Sequence, residues 1–231
     1  MFKDGDVSVS ARLRDVGAGA WQAATGHPMV KEMAAGTLPH ASFRHYFEQN
    51  IAYLEDYTRA IAVALSKAPD TGALEVLGGL LDQIISVELP ANRRFLERLG
   101  GDPARVRGVL TMSPTTYSYT RHLLATAELG DCAAGITALL PCQWIYGEIG
   151  TQIAGAEPDD PIYADWVALF GDPEYAKLVG NTTSLLDRLA APDQENLSRL
   201  QVIFDTSTRY EIDFWDMAYE PSTAQSKMTR Q

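Results

Sequence analysis

Apolar residues recur every three or four positions along most of this chain and nowhere keep the strict two-residue alternation of a half-buried strand. Phe43, Tyr46, Phe47, Tyr53, Leu54, Tyr57 and Ile61 keep that step, as do Ala138, Leu139, Cys142, Ile145, Tyr146, Ile149 and Ile153. Leu197, Leu200, Phe204, Trp215 and Ala218 repeat it near the C-terminal end. Side chains so spaced share one helix face, so the chain is restricted to amphipathic helices packed on one another. No Asn-Gly or Asp-Gly turn joins two β-branched runs.

Helices are predicted at about 8–25, 29–35, 42–67, 71–99, 113–129, 131–156, 162–170, 173–189 and 192–219. The breaks between them, such as "GTLPH", "APDTG", "LGGDP", "EPDDP" and "FGDP", are short. Several supply an Asp or Ser N-cap, or place Pro in a first turn. Nothing reads as a linker or repeat. A single all-α domain over residues 1–231 is expected, a helical bundle with a frayed tail or interface strap from about residue 220.

With 46% hydrophobic residues among 231, such a bundle has material for a sizeable core. The formal net charge of -11 repels nucleic acid and anionic lipid, which argues against either as a partner. No apolar run reaches the roughly 18 residues a membrane span needs, and the first residues lack the apolar stretch of a signal peptide. A cytoplasmic location is expected. Cys132 and Cys142 stand ten positions apart on one predicted helix, roughly 15 Å along its axis, too far for a disulfide.

The segment "ALLPCQWIYGEIG" puts Pro141 inside that helix, directly before Cys142. A proline there removes a hydrogen bond to the Thr137 carbonyl and costs about 3 kcal/mol. The expected return is a bend that tips the thiol into a cavity.

Four further polar features interrupt apolar faces: Asn50, Tyr146 one turn after Cys142, Glu211, and the hydroxyl-rich "SPTTYSYT" with Tyr117 and Tyr119. A lone buried cysteine is usually a small hydrophobe, and tyrosines at helical spacing are usually core. A buried Asn is often a paired structural group. Glu211 is different, because an uncompensated buried carboxylate costs several kcal/mol. A thiol, an acid, an amide and phenols on facing helices suit nucleophilic chemistry on a small molecule. His27, His40, His45 and His122 form no close pair and no Glu-x-x-His, so neither a metal nor another cofactor is expected.

"LLPCQWIYGEIG", "PTTYSYT", "RYEIDFWDMAY" and the upstream "GTLPHASFRHYFEQNIAYLEDY" resemble the TenA/thiaminase II family, from about residue 21 to 219. The resemblance implies a haem-oxygenase-like fold without haem, assembled as a homotetramer. It implies hydrolysis of aminomethylpyrimidine, or of thiamine, to hydroxymethylpyrimidine in thiamine salvage. It assigns Cys142 as nucleophile and Glu211 as the acid near the departing amine. Tyr119 and Tyr146 become phenols around the thiol, and Tyr53 an aromatic packed on the pyrimidine. Trp215 is assigned to core packing.

Two positions depart from the family pattern. Asn50 stands where an aspartate is usual; it offers a donor and an acceptor to the substrate edge but no acid proton. Phe170 stands where many members have a tyrosine, which removes a polar contact from the substrate region. These departures keep two alternatives open: a divergent enzyme acting on another heterocycle or amine, and a non-catalytic pyrimidine-binding protein. A metal-dependent oxidase of the haem-oxygenase-like group is a further, weaker reading.

Overall fold

The computed structural model describes residues 7–219, and all its regular structure is helical. The tail expected from about residue 220 lies outside the described residues.

The helix starts follow from local chemistry. Ser8, Asp70, Ser113, Asp131, Asp160 and Asp172 each turn a side-chain oxygen onto a backbone N–H of the first turn. They open α1 (Val9–Val16), α5 (Thr71–Gln83), α7 (Pro114–Leu129), α8 (Cys132–Ile153), α9 (Pro161–Phe170) and α10 (Pro173–Leu189). The others are α2 (Ala18–Thr25), α3 (Pro28–Ala34), α4 (His40–Ser66), α6 (Leu89–Arg98) and α11 (Gln194–Tyr219).

Two predicted helices are in fact divided. The segment 8–25 breaks at Gly17, where a Cβ would come within 2.9 Å of Asp205 Oδ1 on α11. The absent side chain lets α1 and α2 both lie against α11. The segment 71–99 loosens into a π-helical turn at Ile84–Glu88 between α5 and α6. Pro90 follows at once and has no N–H to continue the α-helical ladder, and a widened turn absorbs that loss. Two 3-10 turns, Pro103–Arg105 and Gly108–Leu110, fill the connection to α7.

At the centre, α4 packs on α5, α6, α7 and α8, while α8 packs on α7, α10 and α11 as well. Glycines let α8 come close to its neighbours. A Cβ on Gly135 would stand 3.0 Å from Ala64, and one on Gly150 would overlap the Phe170 carbonyl at 1.9 Å. Buried on nearly every side, α8 keeps its α-helical assignment through Pro141. Carbonyls of this turn are taken up from outside: Tyr57 donates to Leu139 at 3.1 Å, and Ser207 to Ala138 at 2.8 Å. Both cysteines are unpaired. Among the described residues no helix is long and apolar enough to cross a membrane.

Candidate active site

A cavity lies between four of these helices. Asn50 and Tyr53 reach it from α4, Tyr119 from α7, Cys142 and Tyr146 from α8, and Glu211 with Phe214 from α11. The placement is local in origin. Cys142 and Tyr146 are one helical turn apart, as are Glu211 and Trp215 and, nearly, Asn50 and Tyr53. Gln49, beside Asn50, accepts from the Ser113 backbone N–H at 2.8 Å and from Thr116 at 2.7 Å. That fastens the start of α7 to α4 and so sets the position of Tyr119.

Glu211 is 3% exposed, and burial raises its carboxyl pKa from 4.5 to about 7. Tyr119 Oη donates to Glu211 Oε1 at 2.5 Å, and this bond and the nearby Cys142 thiol partly offset the burial. Burial, then the Glu211 charge, push the Cys142 thiol well above its ordinary value. Tyr53, whose hydroxyl is otherwise unpartnered, is the neighbour that pulls the thiol back down. Among the described residues no cation lines the cavity. The sulfur therefore becomes a thiolate only by handing its proton to an adjacent base, and a carboxyl near 7 is suited to receive it.

The amide of Asn50 has a fixed polarity. Asn92 Nδ2 donates to the Glu88 backbone carbonyl at 2.8 Å, and a carbonyl can only accept. Asn92 therefore turns its Oδ1 toward Asn50, whose Nδ2 donates to it at 2.9 Å. This leaves Asn50 Oδ1 as the acceptor free for the cavity. Tyr146 is held by a 2.8 Å hydroxyl pair with Tyr46, itself stacked on Trp215 at 5.6 Å. Trp215 is fully buried in the core, as its assignment to packing requires. Phe170 does not line the cavity; it packs behind Tyr146, ring centroids 4.9 Å apart.

The TENA/THI-4/PQQC family profile matches residues 16–221. The chain belongs to this family. It is 32% identical over 216 residues to the aminopyrimidine aminohydrolase of Halalkalibacterium halodurans, covering 92% of this chain and 96% of that protein. The aminopyrimidine aminohydrolase of Bacillus subtilis is 30% identical over 211 residues, 91% of this chain and 89% of its own. The solved TenA homologue of P. horikoshii superposes with a TM-score of 0.83 at 31% identity, covering 92% and 99% of the two chains. A Shewanella denitrificans domain of unknown function with a heme oxygenase-like fold superposes at 0.73 with 13% identity, covering 96% of each chain; it shares the fold alone.

In this TENA/THI-4/PQQC chain, sequence reasoning missed Phe214, Asn92, Glu88 and Gln143. Glu88 had a readable signal: Leu77, Leu80, Ile84 and Glu88 fall at helical steps, so an acid stands in a buried stripe. Gln143 had none, because α8 is buried almost all round and has no polar face to read against. The histidines sit apart from the cavity. His27 pairs with Asp216, His40 with Asp160 and His122 with Ser207, and His45 lies 3.7 Å from Glu48. Among the described residues no group of three or more His, Cys, Asp or Glu is placed to hold a metal ion.

Proposed function

We propose that this protein is an aminopyrimidine aminohydrolase of the thiaminase II type, with Cys142 as nucleophile and Glu211 as the acid–base group. The observation that carries the reading is the Tyr119–Glu211–Cys142 cluster on the wall of one cavity. Its relatives named aminopyrimidine aminohydrolase match nearly the whole chain.

Glu211 as carboxylate takes the thiol proton, and the thiolate adds to the pyrimidine ring. The same proton passes from Glu211 to the departing amine, and the exocyclic C–N bond breaks. Water adds at the methylene carbon and gives a proton to the Glu211 carboxylate; the C–S bond breaks, and that proton returns to the sulfur to restore the cysteine. The net change is aminomethylpyrimidine plus water to hydroxymethylpyrimidine plus ammonia. Asn50 Oδ1 accepts from the exocyclic amino group of the ring, and Tyr53 and Phe214 pack against its faces.

The cavity leaves ≈ 10 Å³ for a water-sized sphere, about the room of a single water. A pyrimidine therefore enters only as aromatic side chains turn aside. The cytoplasmic location and homotetrameric assembly expected from the sequence belong to the same reading. The test is chromatographic detection of hydroxymethylpyrimidine from the aminomethyl compound and from thiamine. Turnover that disappears in Cys142→Ala supports the mechanism; unchanged turnover in Cys142→Ala and Glu211→Gln removes it. Thermal stabilisation by the pyrimidine without turnover would favour the binding-protein alternative.

A further inference from the structure

Cys142 also lines a second cavity, and it is the one residue common to both. Leu54, Leu80, Ile84 and Leu178 form apolar walls, and the polar residues are Gln143, Glu88, Tyr175, Tyr57 and Gln83. Gln143 is 2% exposed, and neither its Nε2 nor its Oε1 has a hydrogen-bond partner among the described residues. Glu88 is 7% exposed, and its carboxyl receives no hydrogen bond from a described residue. Tyr57 has already committed its hydroxyl to the Leu139 carbonyl.

Buried amides are almost always paired, with protein or with ordered water. Here a donor, an acceptor and a carboxyl border one hollow with ≈ 10 Å³ free for a water-sized sphere. A water needs roughly that much room and two to four polar partners. An apolar occupant would leave the amide unpaired.

We propose that the second cavity is a water site, in which one water bridges the Gln143 amide and the Glu88 carboxyl against the sulfur of Cys142. The thiol then stands between two acids, Glu211 in the first cavity and Glu88 reached through the water. In the second path the S–H bond breaks, the proton passes to the water, and a proton of the water passes to the Glu88 carboxylate. The products are a thiolate and a neutral acid. Glu88 and Gln143 act through the water and are positioning residues.

The other titratable groups facing the sulfur are phenols: Tyr53 and Tyr57 from α4, Tyr119 from α7, Tyr146 on α8 itself and Tyr175 from α10. Tyr46, also on α4, is a further phenol within electrostatic reach. Burial raises all of them well above 10, so they stay neutral where the two acids change charge.

The water site rests on the function proposed above only for its part in turnover, and its tests need no substrate. An atomic-resolution crystal structure of the full chain should show a water within hydrogen-bond distance of the Gln143 amide and the Glu88 carboxyl. A dry cavity, or Gln143 paired to protein, overturns the proposal. In a Cys132→Ser background, iodoacetamide alkylation of Cys142 across pH should move its midpoint down by roughly half a unit or more in Glu88→Gln, because the neighbouring charge is gone. An unmoved midpoint overturns the link to the thiol. Gln143→Met keeps the size and removes the amide. A melting temperature that does not rise supports the water. A rise means that the amide was unpaired in a dry cavity, and the site is lost. A chain without activity on aminopyrimidines still answers each of these.

Discussion

Tyr119 on α7 and Glu211 on α11 meet through a 2.5 Å hydrogen bond in which the phenol donates to a carboxyl raised to about 7. The bond favours the charged carboxylate, while burial favours the neutral acid. The balance leaves Glu211 able to change charge near neutrality, which an acid–base group in a cavity without cations needs.

Removing the phenol in Tyr119→Phe should therefore raise the Glu211 pKa further. The inflection near 7 in a plot of kcat/KM against pH should move to higher pH. A bond to a charged group of this kind corresponds to roughly a tenfold to hundredfold loss in rate. An inflection that stays in place would assign it to another group.

Asn50→Asp installs the acid that the TenA resemblance implies at this position but sets a carboxylate against Asn92 Oδ1, whose direction the Glu88 carbonyl dictates. The expected outcome at neutral pH is a loss of about 1–3 kcal/mol in urea unfolding. The loss should shrink in acid, where the introduced carboxyl, once protonated, donates to Asn92 as the native amide does. Gain of turnover on aminomethylpyrimidine in this variant would show that the acid itself, not the pocket, limits the reaction.

Glu88 and Glu211 are each raised from 4.5 to about 7, chiefly by burial. The folded state thus holds their protons more tightly than the unfolded chain. Their stabilising contribution is complete below about pH 4.5 and is lost as pH rises through about 7, on the order of a few kcal/mol. The melting temperature should fall between about pH 5 and pH 8 along this arm, and Glu88→Gln should flatten the fall.

Gly150→Ala places a Cβ 1.9 Å from the Phe170 carbonyl oxygen, a backbone atom that cannot swing away. The variant should lose roughly 3 kcal/mol or more, read from its denaturation midpoint.

The helical bundle was legible because periodicity needs only the sequence, and the caps at Asp70, Ser113, Asp131, Asp160 and Asp172 stand where "APDTG", "TMSP", "LGD", "EPDDP" and "FGDP" placed them. The break at Gly17 was not legible, because its cause is Asp205, far away in the chain. Cys142, Glu211, Asn50, Tyr53, Tyr119 and Tyr146 stood out as polar groups in apolar faces, and they share a cavity. Phe170 came from family comparison rather than from a face, and it lies one layer back. Glu88 was readable in the stripe Leu77, Leu80, Ile84, Glu88, but the π-helical turn that carries it was not, and the orientation of Asn50 depends on a carbonyl far along the chain, that of Glu88.

Pro141 leaves the turn before Cys142 short of an internal bond, and hydroxyls from Tyr57 on α4 and Ser207 on α11 grip carbonyls of that turn. Those two helices are also the ones that deliver Tyr53 and Glu211. The sulfur is thus surveyed from the same two landmarks as its partners, like a tool clamped in the vice that holds the workpiece. The turn that carries the sulfur is thereby tied to both of the helices that carry its partners.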